Sequence, residues 1–169
     1  MDLSLVAWGR AVKARRRTCP PPLWFFTDAE RTPDPVAAIR TLPRGLCGVV
    51  FRHDAVCGRS TLLRGVASAC RERRLLLVAA GSIRDLPVGV GRHLRGGRGR
   101  IGRHAPFLTS SAHGRAELVR AARAGASLVF LSPVFPTRSH PDARSLGPLR
   151  WGILTQGCSC QAGALGGVT

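Results

Sequence analysis

The sequence predicts an α/β protein of the (β/α)8 TIM-barrel class, incomplete because seven strand–helix units are visible and the last strand is absent. Its composition is globular, with 44% hydrophobic and 21% charged residues among 169. Short apolar runs alternate with stretches of helical periodicity, a pattern typical of parallel strands joined by right-handed crossovers. Seven such units in series favour a barrel over a doubly wound sheet, although a complete barrel typically needs about 200 residues or more.

Elements of the first half follow a basic segment, residues 1–22, which ends in three prolines and which we interpret as a leader. The barrel domain is expected to occupy residues 23–169. Its first three strands are predicted at the apolar runs 23–27, 46–51 and 75–80. Helices are predicted over residues 35–41, with Asp34 as N-cap, and over residues 60–73.

Elements of the second half are less regular because glycine and arginine are frequent there. The clearest helix covers residues 112–124, with Leu118, Val119 and Ala122 facing inward and Gly125 ending it. A further helix is predicted over residues 145–155. Strands are predicted at residues 90–94, 106–110 and 127–131, and residues 161–167 are predicted to form a seventh strand with a glycine turn.

The charge of the chain is strongly positive, with 26 Lys+Arg against 9 Asp+Glu and a formal net charge of +17. A basic excess of this size raises nucleic acid as a partner. However, the charges are spread over most of the chain, and no aromatic stacking platform accompanies the arginine clusters. A nucleic-acid-binding protein is therefore kept only as an outside alternative.

Hydropathy and cysteine usage favour a cytoplasmic protein. The sequence has no apolar run of about 18 residues, so no membrane contact is expected. None of the six cysteines forms a CxxC pair, and Cys47 and Cys70 lie at positions suited to a small apolar residue. Cys158 and Cys160 lack a second pair with zinc-ligand spacing. We expect reduced thiols.

Polar residues recur after the predicted strands, where a barrel places its functional groups. They are Arg52, then Ser111 and His113, then Thr137, Ser139 and His140, and finally Gly166 and Gly167. The carboxyl ends of the predicted strands are therefore rich in arginine, hydroxyl and imidazole groups and poor in carboxylates. A site of this composition is suited to binding a phosphate. Other interpretations stay open: Arg52 as a surface arginine, the glycine pair as a plain turn, and Ser111 and His113 as caps of the next helix, with Glu117 in its first turn.

Two blocks of sequence identify a family resemblance. Residues 110–118 read Ser-Ser-Ala-His-Gly-Arg-Ala-Glu-Leu, and residues 124–137 read Ala-Gly-Ala-Ser-Leu-Val-Phe-Leu-Ser-Pro-Val-Phe-Pro-Thr. These blocks closely resemble the thiamine-phosphate synthase and thiazole tautomerase family. Weaker matches follow the family's order, at the Thr27-Asp28, Phe51-Arg52 and His93-Leu94 pairs and at residues 164–168.

The resemblance implies a barrel of thiamine biosynthesis whose ligands are small phosphorylated thiamine precursors. The synthase couples hydroxymethylpyrimidine diphosphate to thiazole phosphate and releases pyrophosphate with the help of Mg²⁺. By this resemblance Arg52, Ser111, Thr137 and Ser139 would contact the diphosphate, and His140 stands where the family has a lysine. Gly166, followed by Gly167, would bind the thiazole phosphate through its backbone N–H.

Several family positions differ in this chain. The positions of the family's acidic Mg²⁺ ligands fall near residues 79–81 and 96–98, which are Ala, Gly and Arg. The metal-independent tautomerase branch is therefore an alternative, with His113 as proton shuttle. A further alternative is a barrel that binds a phosphorylated ligand without catalysing its turnover. An incomplete barrel has two open strand edges, and pairing of these edges with a second copy of the chain would form a homo-oligomer.

Overall fold

The computed structural model describes residues 2–15, 20–83, 85–99, 106–137 and 144–167. Seven strands and five helices lie along these segments, which confirms the predicted α/β class. No helix is described between the third, fourth and fifth strands, so the predicted strand–helix alternation is interrupted there. The chain divides into two compact units, and the division falls at Arg92 and His93, within β4 (Gly91–Arg95). No helix of the described segments has the length and apolar character needed to cross a membrane.

The first unit contains three parallel strands in chain order, each preceded by a helix. Its elements are α1 (Leu3–Arg15), β1 (Leu23–Phe26), α2 (Pro35–Thr41), β2 (Cys47–Phe51), α3 (Arg59–Arg73) and β3 (Leu76–Ala80). The predicted strands and helices of this half are confirmed to within about one residue. Asp34 is the N-cap of α2, as predicted, because its carboxylate accepts from the Ala37 N–H at 2.9 Å.

Strand β2 is the centre of the first unit, since all five of its residues are buried. This explains its continuous apolar sequence, because a parallel strand is covered on both faces. Gly48 is required there: a Cβ atom would lie 2.5 Å from the Trp24 ring. Burial raises the pKa of the Cys47 thiol, and it raises that of Cys70 to about 12, so both cysteines act as small apolar residues as expected.

Helix α1 lies in the segment that the sequence suggested to be a leader. Val6 belongs to the apolar core of the first unit, and the Lys13 ammonium group donates to the Gly45 carbonyl. Gly9 packs so closely on β1 that a Cβ atom would lie 3.0 Å from Leu23 Cγ. The described part of this segment is therefore a packed helix of the first unit.

The second unit places its helices on one face of parallel strands in the order β5-β6-β7. Its elements after β4 are β5 (Leu108–Ala112), α4 (Arg115–Arg123), β6 (Leu128–Leu131), α5 (Gly147–Thr155) and β7 (Gln161–Ala164). A separate apolar core forms from alternate strand residues, such as Val129 and Leu131, packed with Leu118 and Ala121 of α4. Each strand therefore presents its other residues to the opposite face.

Two predicted elements in the second unit, β5 and α4, have wrong boundaries. Strand β5 runs two residues later than predicted, because Ala112 still pairs with Leu131 of β6. Helix α4 consequently begins at Arg115 rather than at residue 112. The residues of its buried face are Leu118 and Ala121. Val119, predicted to face inward, is 40% exposed, and Ala122 is only half-buried.

The cap of α2 gives a direct test of how local sequence stabilises the first unit. We expect Asp34→Ala to lower the free energy of unfolding by about 1 kcal/mol, because the Ala37 N–H loses its acceptor. Urea denaturation followed by circular dichroism measures the change. Asp85→Ala is the matched control, since Asp85 is exposed and accepts from no described residue. Equal stability of the two variants would contradict the capping role.

Candidate active site

Ser111 lies inside β5 rather than in the loop after it. It pairs with Phe130 of β6, while its neighbour Ala112 belongs to the core beneath α4. Because side chains alternate along a strand, Ser111 is on the face opposite α4, together with Thr109. Thr109 is buried there and its Oγ1 lies 2.8 Å from Nδ1 of His93. His93 is thus a buried structural partner of β5, and Ser111 is the half-buried hydroxyl nearest the carboxyl end.

His113 follows β5 and has an oriented imidazole. Its Nδ1 lies 3.0 Å from the carbonyl oxygen of Ser132 and 3.4 Å from the Ser132 hydroxyl. A carbonyl oxygen only accepts, so the proton of the neutral ring lies on Nδ1 and Nε2 carries the lone pair. His113 is exposed, which leaves that nitrogen accessible to a ligand.

Glu117 supports the same segment from the first turn of α4. Its Oε2 accepts from the His113 N–H at 2.8 Å, and α4 has no side-chain N-cap. The alternative that Ser111 and His113 cap this helix is therefore wrong, whereas the position of Glu117 in the first turn is confirmed. Glu117 of α4 thus fixes the backbone of His113, and Ser132, directly after β6, orients its ring.

The carboxyl ends of β5, β6 and β7 are joined by backbone hydrogen bonds through the β6 loop, residues 132–137. The Ser132 N–H donates to the Ala112 carbonyl at 3.0 Å. The Val134 N–H donates to Leu165 O at 2.9 Å, and the Phe135 N–H donates to Gly166 O at 3.0 Å. These contacts bring the predicted residues of β5 and the glycine pair to one end of the second unit.

Gly166 and Gly167 are held against the β6 loop in a conformation that favours glycine. Their φ angles are 91° and 67°. A Cβ atom at Gly166 would lie 2.9 Å from Pro133 Cβ, and one at Gly167 would lie 2.6 Å from Pro136 O. No described residue accepts from either N–H group. The pair therefore needs glycine at both positions, and its N–H groups are donors of the kind that suit a phosphate oxygen.

Arg52 lies in the first unit, directly after β2. Its N–H donates to the Thr27 hydroxyl at 3.0 Å, and Thr27 Oγ1 lies 3.0 Å from Nδ1 of His53. The His53 ring is buried and stacks on Phe51, with 5.1 Å between ring centroids. This buried network fixes the backbone of Arg52 and leaves its side chain exposed. The sequence signal for this network was the match of Thr27-Asp28 to the family. Of the residues in the network, Arg52 alone was predicted as a site residue.

The Asp28 carboxyl lies in the turn that follows β1 and has a lowered pKa. Backbone N–H groups of Arg31 and Glu30 hold the pKa of its carboxyl below the usual range, and the charges of Arg31 and Arg52 add to this. The turn after β1 therefore occupies the Asp28 carboxylate with its own backbone N–H groups.

The described residues do not fit Mg²⁺ at the positions where the resemblance implies acidic ligands. After β4, a Cβ atom at Gly97 would lie 2.5 Å from the Ala121 nitrogen, so this backbone leaves no room for a carboxylate. After β2, Asp54 is paired with Arg59 at 2.8 Å. No cluster of three or more His, Cys, Asp or Glu that could hold a metal occurs in the described segments.

The predicted site residues thus fall into three groups. Ser111, His113, Gly166 and Gly167 meet at one end of the second unit, where Thr137 ends the described part of the β6 loop. Arg52 is placed in the first unit. Ser139 and His140 lie outside the described residues. Sequence reasoning missed Ser132, whose only signal was its place before Pro133 in the matching block.

Comparisons with known proteins identify the family and the fold of the chain. Residues 81–169 match the family model described as thiamine monophosphate synthase. Among solved structures, thiamine phosphate pyrophosphorylase from Pyrococcus furiosus superposes with a TM-score of 0.69 at 19% identity, over 87% of this chain and 75% of that one. This likeness confirms the predicted barrel class. No curated protein matches the chain.

The requirement for glycine at position 166 can be tested by comparison with a glycine whose Cβ position is not crowded. We expect Gly166→Ala to lower the free energy of unfolding by about 1–2 kcal/mol, because φ is 91° and the new Cβ meets Pro133. Gly152→Ala is the matched control: no atom lies within 4 Å of its Cβ position, and alanine favours the helix there. Urea denaturation of both variants measures the difference, and a Gly166→Ala chain as stable as the control would disprove the constraint.

Proposed function

This chain belongs to the thiamine monophosphate synthase family, and we propose that it couples a phosphorylated thiazole to hydroxymethylpyrimidine diphosphate. Family membership supports a role in thiamine biosynthesis. The observation that carries the finer proposal is the junction of the β6 loop with the glycine pair, where Phe135 N–H donates to Gly166 O at 3.0 Å. There the N–H groups of Gly166 and Gly167 have no acceptor among the described residues, and they lie at the same end of the second unit as Ser111 and His113.

In this proposal the glycine pair binds the phosphate of the thiazole. Backbone N–H groups are rigid donors that need no side-chain ordering, and the net charge of +17 favours an anionic ligand. The close packing on Pro133 and Pro136 keeps the donors in place when the ligand leaves.

The coupling step requires that the thiazole nitrogen displace diphosphate from the pyrimidine methylene carbon. Negative charge then grows on the departing diphosphate, so the step needs charge stabilisation more than a strong base. The described side chains proposed to supply it are Ser111 and Thr137 of the second unit. Ser139 and His140, which follow Thr137 in the sequence, are proposed as additional donors. No step is assigned to Mg²⁺, because the residues at its expected positions do not fit that ion.

One observation favours a second candidate, a tautomerase-type isomerisation of a thiazole phosphate. His113 has Nδ1 directed at the Ser132 carbonyl at 3.0 Å, which leaves Nε2 available as a base. A histidine so oriented takes a proton from one ring position and returns it to another. This reaction uses the same phosphate site and requires no leaving group.

Paired variants separate the two reactions. If the chain is a synthase, Ser111→Ala lowers kcat/KM for pyrophosphate release from the two substrates by about 10²-fold. Ser127→Ala, which removes an exposed hydroxyl at the other end of β6, should leave the rate unchanged. Pyrophosphate release that is unaffected by Ser111→Ala would contradict the assigned role.

Isomerisation of thiazole carboxylate phosphate is measured in the same preparations. A tautomerase would lose about 10²–10⁴-fold in rate on His113→Gln, which retains polarity but cannot shuttle a proton. A chain that binds thiazole phosphate and catalyses neither reaction would be a binding protein. Absence of both turnover and binding would overturn the proposal as a whole.

A further inference from the structure

Cys158 and Cys160 form a close pair of thiols that the proposed function does not use. Their Sγ atoms lie 3.0 Å apart, both side chains are half-buried, and both thiols are free. The backbone bends at Ser159 and Cys160, and the two sulfurs need to approach by only about 1 Å to reach the S–S bond length of a disulfide. This dithiol, Cys158 with Cys160, immediately precedes β7.

A groove of about 300 Å³, here called the α4 groove, opens beside one of the two thiols. Cys158 lines it and Cys160 does not. Its other lining groups include the guanidinium-bearing residues Arg115 and Arg123 and the apolar side chain of Leu118. None of the described residues that line it carries a carboxylate, so the groove is cationic and suited to an acidic ligand.

The two thiols have unequal environments. Burial, together with the hydrogen bond and the proximity of Cys158, raises the pKa of the Cys160 thiol to about 12. Cys160 therefore keeps its proton while Cys158 faces the groove. The attacking form of a cysteine is the thiolate, so an incoming disulfide would meet Cys158 first.

We propose that the dithiol is a redox site that exchanges with a small disulfide bearing carboxylates, bound in the α4 groove. The Cys158 thiolate attacks one sulfur of that disulfide, whose S–S bond breaks and releases one small thiolate. Cys160 then loses its proton to solvent and its sulfur attacks Cys158 Sγ, which releases the second small thiolate. In sum two protein thiols lose two electrons and two protons, and the small disulfide gains them as two thiols.

A metal is a weaker explanation of the same pair. Two sulfur ligands fall short of the four that a structural zinc site needs. In the described part of the chain, no third His, Cys, Asp or Glu joins them in a cluster that could hold an ion.

Peptide mapping of the full-length chain tests the site without reference to turnover. Cleavage by trypsin after Arg150 releases a peptide that starts at Trp151 and contains Cys158 and Cys160 but none of the other four cysteines. The protein is equilibrated with reduced and oxidised glutathione in varied ratio, then alkylated and digested. We expect this peptide to lose two hydrogens as the ratio becomes oxidising, and to recover them on reduction. A peptide that is alkylated at both thiols under every ratio would overturn the proposal.

Single substitutions test the order of attack. Cys160→Ser should accumulate a mixed disulfide of glutathione on Cys158, whereas Cys158→Ser should leave Cys160 unmodified. Cys57→Ser, which removes an exposed thiol of the first unit, is the control and should close the disulfide as the parent chain does. Mixed disulfide on Cys160 in place of Cys158 would contradict the assignment. Circular dichroism confirms that each variant is folded, and mapping of the parent chain remains decisive if one is not.

The role of the groove is tested by charge. Arg123→Gln should slow oxidation by oxidised glutathione roughly twofold to tenfold and leave oxidation by neutral hydroxyethyl disulfide unchanged. Arg71→Gln, which removes an exposed charge from α3, is the matched control. An equal effect of both variants on both oxidants would show that the α4 groove does not select the disulfide.

Discussion

The hydrogen bonds that join the β6 loop to its neighbouring strands are the constraint on which the site depends. Ser132 N–H binds the end of β5, and Val134 N–H binds Leu165 O just beyond β7. These bonds satisfy backbone groups that would otherwise be lost at strand ends, and they determine where the polar groups lie. Without them, His113 would lose the carbonyl that orients its ring and Gly166 would lose the surface on which it packs.

Glycine and imidazole contribute to this site in different ways. Gly166 and Gly167 adopt left-handed φ values against Pro133 and Pro136, so the chain offers bare N–H groups where a side chain would not fit. His113 is oriented by Ser132, and Glu117 fixes its backbone. In the proposed function these features form a rigid anion site at the end of the second unit that also holds His113, and this combination serves either diphosphate displacement or proton transfer.

Much of this arrangement follows from local sequence, and the exceptions have physical causes. The apolar run of β2 and the Asp34 cap of α2 were predictable because burial on two faces and capping leave clear signals. The start of α4 was not, because pairing of Ala112 with Leu131 extends β5 by two residues beyond the prediction and overrides helix propensity there. Ser132 was missed because it acts through its carbonyl, which every residue type possesses.

The central claim is that a phosphate binds at the Gly166–Gly167 pair. Isothermal titration of the chain with thiazole phosphate and with the corresponding unphosphorylated thiazole alcohol tests it most directly. Binding of the phosphate at least about tenfold tighter than the alcohol is expected, since charge-assisted bonds to the N–H groups are lost with the phosphate. Equal affinity for the two compounds, or no binding of either, would contradict the account.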